Sequence, residues 1–189
     1  QKLDRIDGKY VAKMLASIED LPDKVEKILK LAPEIEEMAQ RYAYLDHAYF
    51  IGRNLDYAVS LEASLKLKEI SYIHSEAYAA GELKHGTISL IEKGTFVVAL
   101  ACNERLIAKT MSNIKEVKAR GAEVLLLTCE DYGIHSDEVD HTITIPSTHE
   151  LLTPSLEVVP LQLLGYYIAK ARKCDIDKPR NLAKSVTVE

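Results

Sequence analysis

Two continuously apolar runs constrain this chain more than any other feature. Phe96-Val-Val-Ala-Leu100 and Val124-Leu-Leu-Leu127 are strand-length, and between them lies a helical stretch from Glu104 to Arg120 closed by Gly121. An antiparallel strand with one wet face alternates polar and apolar residues; a strand apolar at every position is buried on both sides. Two such strands joined by a helix read as a βαβ unit of a parallel sheet covered on both faces. The same rhythm extends outward. A strand is expected at His47 to Ile51, a long helix from Leu55 to Tyr72, a shorter helix over Ala77 to Lys84, a strand at His141 to Ile145, and a helix from Thr153 to Arg172. The fold class is therefore α/β, a three-layer sandwich with a mostly parallel sheet flanked by helices.

The first 45 residues are different. Asp7 can cap one helix, Pro22 can open a second and Pro33 a third running through Ala43, since proline is favoured in a first turn. This predicts a helical arm over residues 1–45, a body over 46–174 and a polar tail over 175–189. The 189 residues suit one buried core. Their start at Gln-Lys-Leu, without Met, suggests a piece of a longer protein.

A net charge of −5 argues against a nucleic-acid or anionic-membrane footprint. No apolar run approaches the roughly 20 residues of a membrane span. Three widely spaced cysteines without a CxxC pair indicate neither a disulfide framework nor a zinc site, which fits a reducing, cytoplasmic setting. No cofactor is indicated, for neither GxGxxG nor GxxxxGK[ST] occurs. His74, His135, His141 and His149 have no metal-ligand spacing. In a parallel α/β sheet ligands gather beyond the carboxyl ends of the strands, which directs attention to Gly52 to Asp56, Cys102 to Arg105 and Cys129 to Gly133.

On a wheel at about 100° per residue, the helix over Tyr57 to Ile73 shows two polar zones. Ser60, Ser64, Lys68 and Ser71 make the expected solvent face. Glu62, Lys66 and Glu69 fall inside the apolar arc, where the core is expected. Glu62 with Lys66 and Lys66 with Glu69 have the spacing to pair. The stripe is thus either a structural salt bridge or a carboxylate beside a lysine lining a cleft, where such surroundings shift pKa values.

The stretch Leu65-Lys-Leu-Lys-Glu-Ile-Ser-Tyr-Ile-His-Ser-Glu-Ala-Tyr-Ala-Ala-Gly-Glu-Leu-Lys-His-Gly86 resembles the signature of the glucosamine-6-phosphate synthase family, the glutamine-fructose-6-phosphate aminotransferases. Val159-Pro-Leu-Gln-Leu-Leu164 resembles its last helix, and Asp177-Lys-Pro-Arg-Asn-Leu-Ala-Lys-Ser-Val-Thr-Val-Glu189 its extreme C-terminus. The resemblance covers the chain from about residue 47 onward and is to the second of two tandem sugar-isomerase (SIS) repeats.

The resemblance implies conversion of fructose 6-phosphate and glutamine to glucosamine 6-phosphate and glutamate. It assigns Glu69 to proton movement between C1 and C2, His85 to ring opening, Lys184 to a Schiff base with the ketose, and Lys66 to proton transfer at the imine, with Glu62 in support. It also implies a homodimer that supplies the histidine across the interface, the helical arm and the Tyr78 to Leu83 segment being candidate contacts. These residue types suit the chemistry: a carboxylate for a ketose–aldose shift, an imidazole that titrates near neutrality, an amine for the imine. Without the resemblance His85 reads as a helix-end residue and Lys184 as a solvated charge.

In that family the sugar phosphate is held by an SxSxxT loop of the first repeat. The corresponding turn here, Ala101-Cys-Asn-Glu-Arg105, places Glu104 where phosphate would be repelled. The glutaminase nucleophile, an N-terminal cysteine, is not in this sequence either. The expectation is an isomerase half-domain whose partners are sugar phosphate, the first SIS repeat and the glutaminase domain. The alternative is a non-catalytic sugar-phosphate-binding regulatory or dimerisation module on the same fold.

Overall fold

In the computed structural model, residues 6–134 and 137–180 are described. Helix α1 (Gly8–Glu19) is capped by Asp7, whose side chain accepts the Lys9 N–H. Helices α2 (Leu21–Leu29) and α3 (Ala32–Tyr42) each carry proline in the first turn, where its missing N–H has no intrahelical partner to lose. Burial grows along this arm. α1 buries nothing, α2 buries Ile28, and α3 buries Ile35, Met38, Ala39 and Tyr42. The third helix therefore belongs to the core of the body, a closer union than an appended arm.

Strands β1 (His47–Gly52), β2 (His74–Ala79), β3 (Phe96–Ala101), β4 (Glu123–Cys129) and β5 (His141–Ile145) form one sheet in the order β2-β1-β3-β4-β5, every neighbouring pair parallel. β3 is buried at all six positions and β4 at all but its first, as the apolar runs require. One face packs Phe50, Phe96, Val98, Leu125 and Leu127 against α3, α4 (Leu55–Ser71) and α6 (Thr153–Ala171). The other packs Ile51, Val97, Ala99 and Leu126 against α5 (Ile107–Lys118) and a 3₁₀ segment at Ala80–His85. This is the expected three-layer sandwich.

Two local expectations fail. The helix placed over Ala77 to Lys84 is the end of β2 followed by the 3₁₀ segment. His-Ser-Glu-Ala-Tyr-Ala has no apolar run because β2 is an edge strand; pairing with β1 along its whole length supplies what its residues lack in strand propensity. The helix expected from Glu104 starts as a 3₁₀ turn at Glu104–Leu106, and α5 proper begins at Ile107. Gly121 does stand where a left-handed residue was expected. Its φ is +91°, and a Cβ there would lie 2.9 Å from the Lys93 Cα.

Candidate active site

Helix α4 is turned the other way from the wheel's expectation. Val59, Ser60, Ala63, Ser64, Leu67 and Ser71 are its buried side, whereas Leu61 and Leu65 are 47% and 41% exposed. The serines can be buried because their hydroxyls are satisfied locally. Ser60 donates to the Asp56 carbonyl at 2.8 Å, Ser71 to the Leu67 carbonyl at 2.6 Å, and Ser64 to the Ser75 hydroxyl of β2 at 3.4 Å, which in turn donates to the Ser64 carbonyl at 2.7 Å. Small side chains let the helix lie close on β1 and β2, and a hydroxyl bonded back into its own helix brings little unpaired polarity into the contact. Of the predicted solvent face only Lys68 is exposed.

Glu62, Lys66 and Glu69 consequently do not point into the core. They form a half-buried stripe in which Lys66 Nζ lies 2.8 Å from Glu69 Oε2 and 3.8 Å from Glu62 Oε1. Glu69 is the most enclosed, its side chain 24% exposed against 39% for Lys66 and 45% for Glu62. The hydrogen bond it donates to Glu69 holds the Lys66 ammonium above the ordinary lysine range, so Lys66 is a proton donor and not a free amine. A pair this exposed contributes about 0–1 kcal/mol to stability. The core does not need it.

The end of α4 also receives the tail. Tyr72 closes the helix in a left-handed conformation, φ +63°. Its hydroxyl accepts the Arg180 N–H at 2.9 Å, and the Arg180 guanidinium lies 4.1 Å from the centre of its ring. Cys174 Sγ is 3.9 Å from the Ser71 carbonyl. The chain leaving α6 thus returns to the α4 terminus, three residues on from Glu69. Lys184 lies outside the described residues; the four residues from Arg180 to it span at most about 14 Å.

His85 is elsewhere. It follows the carboxyl end of β2, with its side chain 74% exposed and Nδ1 2.7 Å from Glu82 Oε2. Because α4 runs antiparallel to the strands, Glu69 sits near the opposite edge of the sheet, about 21 Å of helix rise from Leu55. One chain does not bring these two residues together.

The three turns singled out from the strand ends do converge, on a crevice lined among others by Asp56, Cys102, Asn103, Asp131 and Tyr132. Gly52 permits the approach of β1 to α4, since a Cβ there would meet the Asp56 carbonyl carbon at 2.5 Å. Two carboxyls at its base, Asp56 and Glu157, were not identified from sequence. Burial raises both above the ordinary carboxylate range; for Glu157 the charge of Asp56 adds to it, and for Asp56 the N–H groups of Cys102 and Asn103 oppose it. A signal existed: Glu157 interrupts the apolar side of α6 between Leu156 and Pro160. Among the described residues no group of three or more His, Cys, Asp or Glu could hold a metal ion. No described helix is long and apolar enough to cross a membrane.

A model of the SIS domain family matches residues 43–170. The whole chain is 54% identical to the isomerizing glutamine-fructose-6-phosphate aminotransferase of Symbiobacterium thermophilum and spans 31% of that protein. It is 46% identical over 176 residues to the protein of the same name from Haemophilus influenzae, 29% of whose length is covered. Among solved structures it is similar to the C-terminal domain of glucosamine-fructose-6-phosphate aminotransferase from Francisella tularensis, with TM-score 0.87, 36% identity, and 92% of this chain and 49% of that one covered. The sugar isomerase domain of an RpiR transcription factor from Sphaerobacter thermophilus shares the fold at 18% identity and TM-score 0.69, over 86% of this chain and 90% of that one.

Proposed function

The chain belongs to the SIS domain family, and from that premise we propose that it is the second sugar-isomerase repeat of a glutamine-fructose-6-phosphate aminotransferase. In this reading residues 1–45 link it to the first repeat, residues 46–174 are the SIS body, and residues 175–189 enter the active site. Fructose 6-phosphate is the sugar substrate. The first repeat holds its phosphate, and a glutaminase domain supplies nitrogen. The observation that carries the reading is the docking of Arg180 on Tyr72, which delivers the tail to the end of α4 where Glu69 and Lys66 are paired.

The chemistry follows from that pairing. Glu69 is the carboxylate that takes a proton from one of the two adjacent sugar carbons and returns it to the other, which general acid–base help accelerates by about 10²- to 10⁴-fold. Lys66, hydrogen-bonded to it at 2.8 Å, donates at the imine nitrogen. Lys184 is the amine that adds to the carbonyl of the open ketose and, with loss of its oxygen as water, forms the imine. His85 opens the ring, and since it stands at the other edge of its own sheet it serves the Glu69 of a partner copy in a homodimer. Glu62 steadies the Lys66 head group.

The competing reading, a non-catalytic sensor on the same fold, has the RpiR domain in its favour. It gives no role to the Lys66–Glu69 pair or to the returning tail. The test is Glu69→Gln in the full-length protein. Fructose 6-phosphate binding is expected to persist while isomerisation is lost; unchanged turnover would remove Glu69 from the reaction.

A further inference from the structure

The crevice beyond the strand ends is not part of the α4 stripe, since Asp56 opens α4 and Glu69 lies near its close. It encloses about 520 Å³, within the range of small-molecule sites, roughly 300–1,000 Å³. It stands where the strand order reverses between β1 and β3, the place where α/β sheets bind ligands. Backbone N–H groups at such a point ordinarily suit an anion. Here the protein's own carboxylate has taken them. Asp56, 2% exposed, accepts the Cys102 N–H at 3.0 Å.

What remains for a ligand is acidic and hydroxylated. Glu157 lines the crevice from α6, is fully buried, and its oxygens face only the Asp56 carboxyl and the Cys102 thiol, with no N–H group or cation among the described residues to satisfy them. The hydroxyls of Ser147 and Thr148 line the same crevice, also buried and without partners. At the rim Glu104 and Asp131 add negative charge, and Arg105 is engaged by Glu150 at 3.8 Å. A phosphate would meet carboxylates here, whereas an ammonium would meet two of them and find hydroxyls beside them.

We infer that this crevice binds a small hydroxylated primary amine, its ammonium seated between Asp56 and Glu157 and its hydroxyls on Ser147 and Thr148. Without a ligand the two carboxyls avoid adjacent charges by keeping a proton. The ammonium displaces that proton to solvent. The other titratable groups facing the pair are Cys102 at the end of β3 and Cys129 and Tyr132 at the end of β4. Farther out stand Lys13 of α1 and His149 before α6.

The test is calorimetric titration of the chain with glucosamine, glucose and inorganic phosphate, in buffers of different ionisation enthalpy. Glucosamine is expected to bind saturably, with proton release and with affinity rising between about pH 5.5 and pH 7, below the titration of its own amine. Glucose, which lacks the ammonium, is expected to bind about tenfold more weakly or worse, and Glu157→Gln to weaken glucosamine by a similar factor. Phosphate is expected not to bind. Persistence of glucosamine binding in Glu69→Gln separates this site from the isomerisation stripe. Equal affinity for glucose and glucosamine, phosphate binding, or no saturable amine binding overturns the assignment. Should Glu157→Gln fail to fold, the wild-type proton release decides alone, and amine binding with no proton released refutes the carboxyl pair as its seat.

Discussion

Docking of the tail on Tyr72 can be weighed from its two contacts. The Arg180 N–H bond to the Tyr72 hydroxyl, 2.9 Å long, is worth about 1 kcal/mol net. The guanidinium over the ring at 4.1 Å adds about 0.5–1 kcal/mol at a partly exposed position. Tyr72→Phe removes the first and keeps the second, so the docked state should be disfavoured by about fivefold; Tyr72→Leu removes both, for roughly thirteen- to thirtyfold. Leucine remains in the left-handed position that tyrosine already tolerates, φ +63°. Exchange of the Arg180 amide with deuterated solvent reads the docking directly, since that N–H is the one bonded to Tyr72. The exchange rate should rise in the order wild type, Phe, Leu, by those factors. Equal rates in all three would mean that the tail is held by other contacts, and the proposed role of Lys184 beside Glu69 would lose its physical basis.

Asn54 has φ +57° and ψ −122°, a conformation natural only to glycine, so Asn54→Gly should stabilise the fold by about 1 kcal/mol; a lower urea midpoint would show that Asn54 is not strained. Gly121→Ala should destabilise by about 2 kcal/mol, because its φ is +91° and the new Cβ would press on the Lys93 backbone at 2.9 Å; a thermal midpoint lowered by less than about 2 °C would contradict this. Burial, and then the charge of Asp56, raises the Glu157 carboxyl, so the folded chain keeps a proton that the unfolded chain gives up. That stability is fully present below the ordinary glutamate pKa and is lost as pH rises toward the raised value, by at most about 1.4 kcal/mol per pH unit. Urea midpoints of the wild type should fall from about pH 5 to pH 8, and Glu157→Gln should flatten the slope; parallel slopes would place the proton on another group.

The sequence by itself determined the architecture. Phe96 to Leu100 and Val124 to Leu127 could be buried on both faces only in a covered parallel sheet. Gly121 stood at the helix end, and Asp7, Pro22 and Pro33 marked the helical starts; these are local signals, set by backbone sterics and unpaired N–H groups that any fold must respect. The strand-end turns followed from the same logic, because parallel topology puts them at one edge. The resemblance of residues 65–86 to a family signature supplied Glu69, Lys66 and His85, which composition alone would have left as ordinary charges.

Tertiary structure decided the rest. β2 escaped detection because an edge strand draws its order from pairing with β1 and needs no apolar run of its own. The wheel placed Ser60, Ser64 and Ser71 in solvent because a periodicity counts polarity and cannot see that a hydroxyl bonded to its own helix, or for Ser64 to Ser75 of β2, is dry, or that small residues let the helix lie close on β1 and β2. Leu61 and Leu65 went outward by the same steric choice. The separation of His85 from Glu69, the meeting of Arg180 with Tyr72 across more than a hundred residues, and the placing of Asp56 and Glu157 on one crevice all depend on which elements the sheet order sets side by side. No local pattern encodes those distances, since they exist only once the layers have packed.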